Sequence, residues 1–116
     1  MSQVRSLTVF GSQDRPLPFH SFNNGIIQVF DLEGWKGLTN KHMEDICKML
    51  VLKYLSLRRT EISTIPSEIE KIQDLETFDA RETNVGDLPK TFGNLKRLRS
   101  LLGGSKKSRK ALKMPQ

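Results

Sequence analysis

Residues 52–74 read LKYLSLRRTEISTIPSEIEKIQD, and residues 75–97 read LETFDARETNVGDLPKTFGNLKR. Set one above the other at an offset of 23, they match well beyond their leucines. Thr60 falls on Thr83, Ile62 on Val85, Ile65-Pro66 on Leu88-Pro89, Ile69 on Phe92, and Ile72 on Leu95. The opening L-x-x-L-x-L spacing recurs on both sides of the pair. Ile27-x-x-Phe30-x-Leu32 and Val4-x-x-Leu7-x-Val9 precede it, and Leu98-x-x-Leu101-x-Gly103 follows. Start-to-start distances are 23, 25, 23 and 23 residues.

A period of this size and spacing lies within the ~20–29 residues of leucine-rich repeats. The predicted fold is an α/β leucine-rich-repeat solenoid of about four to five repeats. A short parallel sheet lies on the concave side, with short helical or 3₁₀ segments on the convex side. The chain reads as a single domain over 1–116, with repeat starts near 4, 27, 52, 75 and 98 and a basic loop or tail over 103–116. Side chains alternate along a strand, so the last two apolar residues of each signature face inward together. The chain then turns at Thr60 or Thr83, whose hydroxyl can bond the turn's backbone. Proline fixes its own φ and keeps its predecessor extended, which suits the Ile-Pro and Leu-Pro steps and the first turn of the segment that follows. That segment buries Ile69 and Ile72, or Phe92 and Leu95. In the unit from Ile27 the matching residues are Ile46 and Met49, and Met43, Ile46, Cys47 and Leu50 recur at helical spacing. One unit cannot bury its own apolar edge, so stability comes from stacking neighbours. Leu55, Leu57, Leu75 and Phe78 are expected to be the most buried, each costing ~2–5 kcal/mol on truncation to Ala. The outer units are less regular, and both ends read as open, as in a slice of a longer solenoid.

Composition narrows the function. The chain has 116 residues, 36% of them hydrophobic. Its longest apolar run, Met49–Leu52, is too short for a bilayer span, and no secretory signal stands behind Met1. The single cysteine, Cys47, excludes an internal disulfide and fits a reducing, cytoplasmic setting. Net charge is +6, but residues 1–97 hold 13 basic and 13 acidic side chains. The excess is therefore the tail, Arg99, Lys106, Lys107, Arg109, Lys110 and Lys113, and not a basic domain face.

The strand positions between the inward leucines form ladders, because parallel strands lie ~4.8 Å apart. One reads Thr8, Asp31, Ser56, Asp79, Leu102; the next Phe10, Glu33, Arg58, Arg81, Gly104. A third reads Ser6, Val29, Tyr54, Thr77, Ser100, and a fourth Gly11, Gly34, Arg59, Glu82, Ser105. Tyr54, Arg58, Arg81, Asp31, Asp79 and Glu33 thus converge as a candidate protein-binding patch. Tyr and Arg are the residue types that anchor interfaces, and a carboxylate-bearing partner could pair with the arginines. The plainer reading is a set of solvated charge pairs contributing ~0–1 kcal/mol each.

Other candidates are weaker. Cys47 reads as a core residue, His20 and His42 as surface residues, and Trp35 as filler for a two-residue insertion. Gly103-Gly104-Ser105-Lys106-Lys107 lacks the spacing of a phosphate loop. No catalytic constellation, metal site or cofactor is expected.

The run from Val29 to Pro89 resembles the repeats of plant intracellular nucleotide-binding leucine-rich-repeat immune receptors of the coiled-coil class. It carries Asp31-Leu32-Glu33-Gly34, Leu52-Lys53-Tyr54-Leu55-Ser56-Leu57-Arg58, Thr60, Pro66, Leu75-Glu76-Thr77, Asp79, Arg81, Thr83 and Pro89. It departs where Arg59 replaces Gly, Phe78 replaces Leu, and Ala80 replaces an inward Leu or Ile, which is expected to weaken that coil. The sequence holds neither a nucleotide-binding module nor a coiled-coil region. The resemblance implies a non-enzymatic recognition module of innate immunity. Its repeats would sense a pathogen or host protein and hold a nucleotide-binding module inactive. A general signalling adaptor, nucleic-acid binding through the tail, and a relict of a decayed receptor gene are the alternatives.

Overall fold

The computed structural model of the chain describes residues 7–10 and 27–105. Five strands lie side by side in sequence order: β1 (Leu7–Phe10), β2 (Ile27–Asp31), β3 (Tyr54–Ser56), β4 (Thr77–Thr83) and β5 (Ser100–Ser105). Every adjacent pair is parallel. Parallel neighbours need a crossover between them. Here it is α1 (Asn40–Ile46) between β2 and β3, and 3₁₀ turns at Ser67–Lys71 and Lys90–Asn94 between the later strands.

The register follows the sequence ladders from β2 onward up to Arg81 and Gly104, where an irregularity sets Thr83, and not Glu82, opposite Ser105. Val29, Tyr54, Thr77 and Ser100 align, as do Phe30, Leu55, Phe78 and Leu101, and Asp31, Ser56, Asp79 and Leu102. At β1 the ladder is corrected. Thr8 faces Val29 and Phe10 faces Asp31, two residues out of step with the expected pairing of Thr8 with Asp31. A two-residue slip returns every side chain to the same face, so apolar alternation cannot detect it.

Each crossover repeats one hydrogen-bond scheme at an offset of 23. Met49 N–H donates to Ile46 O and Leu52 N–H to Met49 O. Ile72 and Leu75 do the same to Ile69 and Ile72, and Leu95 and Leu98 to Phe92 and Leu95. The prolines stand one position before the turn. Pro66 and Pro89 are extended N-caps, at ψ 156° and 153°, and their carbonyls accept from Ile69 and Phe92. The unit from Ile27 has two extra residues and forms a true α-helix instead. There His42 is more than a surface residue, because its Nδ1 accepts the Thr39 N–H at 3.0 Å and satisfies one orphan donor of the helix start. The predicted stripe of Met43, Ile46, Cys47 and Leu50 breaks at its end. The helix stops at Ile46, so Leu50 swings out to 54% exposure and Met49 takes the core position.

The core is a continuous column. Phe30, Leu32, Leu52, Leu55, Leu57, Leu75 and Phe78 are fully buried between sheet and crossovers, with Ile46, Ile69 and Phe92 opposite. Ala80, expected to loosen its coil, is itself completely buried. Phe78 and Phe92 meet edge to face with ring centroids 5.2 Å apart, a favourable aromatic geometry. The two rings stand where the preceding unit has Leu55 and Ile69, and Ala80 stands where it has Leu57. Trp35 is buried and occupies the turn position of Thr60 and Thr83, its backbone N–H donating to Leu32 O at 2.9 Å.

Candidate functional site

The face opposite the crossovers is built by the strand residues between the buried ones. Its geometry starts at the turns. Thr60 Oγ1 donates to Leu57 O and Thr83 Oγ1 to Ala80 O, each at 2.7 Å, and both threonines are buried. These bonds hold the strand ends in place. Just before each threonine the backbone passes through the left-handed region, with φ 60° at Arg59 and 58° at Glu82. The matching residue before Trp35 is Gly34, at φ 77°. Glycine adopts that conformation freely; Arg and Glu carry a steric cost there.

The left-handed turn throws Arg59 and Glu82 outward and against each other. Arg59 Nε donates to Glu82 Oε2 at 2.9 Å. The same carboxylate accepts from Arg58 Nε at 3.4 Å, and Arg58 reaches across to Glu33 at 3.5 Å. Hydrogen bonding from Arg59 holds the Glu82 carboxyl below its ordinary value against desolvation, with the charge of Arg59 and then the bond and charge of Arg58 adding to it. A chain of charges, Glu33–Arg58–Glu82–Arg59, thus crosses three strand ends.

A second pair lies beside it. Arg81 grips Asp79 with two bonds, Nε to Oδ1 at 3.0 Å and Nη2 to Oδ2 at 2.8 Å. The Arg81 backbone N–H adds a third at 3.1 Å. The Asp79 side chain is only 3% exposed beneath that guanidinium. Burial pushes its carboxyl upward, but the hydrogen bonds and charge of Arg81 outweigh it and leave the group below its ordinary value. The ladder of Asp31, Ser56 and Asp79 has one local role throughout. Each side chain accepts the backbone N–H two residues on, at Glu33 (2.9 Å), Arg58 (3.4 Å) and Arg81 (3.1 Å).

All six sequence-predicted residues lie on this face. The structure joins Glu33 to Arg58, and Arg81 to Asp79, and sets half-buried Tyr54 between Val29 and Thr77. One expectation is corrected: Ser56 and Asp79 are buried rather than solvent-facing, Asp79 beneath the Arg81 guanidinium. Arg58 and Arg81 are paired within the chain, in the manner of the plainer charge-pair reading. Glu82 and Arg59 are charged neighbours of the patch that the sequence reading left out of it. Their shared ladder position was the available signal, but spacing alone does not reveal a left-handed turn.

Elsewhere, Cys47 is buried, and its thiol is pushed up to about 12 by burial and Glu68, with Lys71 opposing and Glu44 adding. Gly103-Gly104-Ser105 lies in strand β5 and not in a phosphate loop. His20 and the tail lysines and arginine from Lys106 onward lie outside the described residues. Among the described residues no helix is long and apolar enough to cross a membrane.

Comparison with known proteins accounts for nearly the whole chain. The family model for the leucine-rich repeat region matches residues 3–115. Disease resistance protein Pik-2 of Oryza sativa subsp. japonica is 64% identical over 116 residues, all of this chain and 11% of that protein. Disease resistance protein PIK6-NP of the same organism is 65% identical over the same span, again 11% of its length. Disease resistance protein RGA4, also from rice, is 40% identical over 111 residues, 95% of this chain and 11% of that protein. The chain thus spans about a tenth of the length of these relatives. With matching strand ladders, buried turn threonines and a family match over 3–115, the chain belongs to the leucine-rich repeat region family, in the form found in plant disease resistance proteins.

Proposed function

We propose that the chain is a non-enzymatic protein-recognition module, the sensing part of a plant immune receptor. Its parallel strands and crossovers would stack as a solenoid of about four to five repeats. The concave face would bind either a pathogen effector or a modified host protein, and would restrain a nucleotide-binding module where the longer chain carries one. The observation that carries this reading is full-chain identity of 64% to a disease resistance protein. Tyr54, Arg58, Arg81, Asp31, Asp79 and Glu33 are the proposed contact patch, with the aspartates holding the backbone beneath it.

The test is site-specific photo-crosslinking in plant cells expressing the protein. A crosslinker at Thr77 samples the concave face, and one at Glu68 samples the exposed crossover side. The expected result is a discrete protein adduct from Thr77 and none from Glu68. Equal adducts from both positions, or none from Thr77, would overturn the reading.

A further inference from the structure

The concave face has two lanes of different chemistry. In one, Glu33, Arg58, Glu82, Arg59, Asp79 and Arg81 satisfy one another at 2.8–3.5 Å. The other is the aligned row Val29, Tyr54, Thr77 and Ser100. It carries no charge, and all four residues are partly exposed. Among the described residues no hydrogen bond is seen at the Tyr54 hydroxyl, and the Arg81 guanidinium acts on it through space. Resting on the concave-face reading above, we propose that within that face this uncharged row makes the primary contact, with the arginines of the patch flanking it. Its partner is an extended protein segment bearing uncharged hydroxyl and aromatic or aliphatic side chains, anchored on Tyr54.

Charge matching supports that choice of partner. An acidic segment gains from Arg81 only by displacing Asp79, which then stays buried without its counter-charge. Removing one member of a buried, hydrogen-bonded pair is costly. Arg58 is likewise shared between Glu33 and Glu82. A basic segment meets Glu33 and Glu82 only where Arg58 and Arg59 already bind them, and Asp79 only beneath Arg81. An uncharged segment displaces no ion pair. It buries the Tyr54 ring, and its backbone or hydroxyls bond the phenol. Four strand positions ~4.8 Å apart span about 14 Å, the reach of about five extended residues. Tyrosine is also the residue type most able to bury area while offering one polar tip.

A random twelve-residue peptide library displayed on phage, panned against the 116-residue chain in physiological salt, tests the idea. The expected binders are uncharged and rich in Ser, Thr and aromatic residues, with affinities unchanged between low and high salt. Tyr54→Ala should weaken them about thirty-fold, as loss of a hot-spot side chain does. Tyr54→Phe, which keeps the ring, should weaken them only about fivefold. Circular dichroism of both variants shows whether the fold persists. Acidic binders that depend on Arg58 or Arg81 would overturn the inference and leave the concave-face reading standing. Binders insensitive to Tyr54→Ala, Arg58→Ala and Arg81→Ala would overturn both. Basic binders, or no enriched sequence, overturn the inference.

Discussion

Replacing each turn threonine with valine separates two hydrogen-bond arrangements that look alike in sequence. The substitution keeps the side chain's shape and removes only the hydroxyl. Thr60 and Thr83 are equally buried, and each donates to the carbonyl three residues back at 2.7 Å. The difference lies in what else depends on the hydroxyl. Leu57 O retains a second donor, the Thr60 N–H at 3.1 Å. Among the described residues no N–H is seen to donate to Thr60 Oγ1, so Thr60→Val costs one hydrogen bond, about 1 kcal/mol. Thr83 Oγ1 also accepts the Val85 N–H at 3.3 Å, and Val85 is buried. Thr83→Val therefore strands a donor away from water as well, adding about 1–2 kcal/mol. Urea unfolding followed by circular dichroism should show both variants with unchanged slope and lowered midpoint, Thr83→Val clearly the lower. Equal midpoints, or a lower one for Thr60→Val, would refute the reasoning.

Other outcomes follow from the same geometry. At the left-handed turn, Arg59→Gly and Arg59→Ala remove the same guanidinium, but only Gly relieves φ 60°. Arg59→Gly should be more stable in urea by about 0.5–1 kcal/mol, after its greater unfolded-state entropy is counted. Phe78→Ala removes one ring of the edge-to-face pair and should cost about 3–5 kcal/mol in the same assay. Because the folded Asp79 carboxyl titrates below its ordinary value, its contribution is complete above about pH 4 and lost as pH falls through the folded value. Acid titration by circular dichroism should accordingly show a shallower loss of stability below about pH 4 in Asp79→Asn. Cys47, with its thiol pushed up to about 12, should resist a thiol-disulfide reagent in the native protein and react at once in denaturant.

The sequence makes legible what depends on spacing. The apolar positions of β2 to β5, the turn threonines and the paired crossover residues follow from alternation and the 23-residue offset, because burial enforces both. Three features are not encoded that way. The β1 register is invisible because a two-residue slip preserves facing. Leu50 fits a helical stripe, but the helix ends at Ile46, and periodicity does not mark termini as caps do. At the site, residue types identify the patch, but which arginine meets which carboxylate depends on backbone angles. The positive φ of Arg59 and Glu82 makes Glu82 a bridge, a role that no pattern of leucines announces.

The 23-residue offset of the crossover bonds also bears on how such a chain changes over generations. Leu52, Leu75 and Leu98 each bond backward to a residue three positions upstream, and the residue just before β4 and β5 bonds to its counterpart in the preceding unit, Glu76 to Lys53 and Arg99 to Glu76. A recombination event that deletes 23 residues anywhere between Leu52 and Leu98 rejoins equivalent positions, and every ladder closes as before. Removing one residue more or fewer turns the apolar column outward. Gene copies that misalign and exchange by whole units therefore yield foldable offspring whose exposed lanes are reshuffled. The scaffold tolerates this route to variation, whereas the same number of residues lost out of phase destroys it.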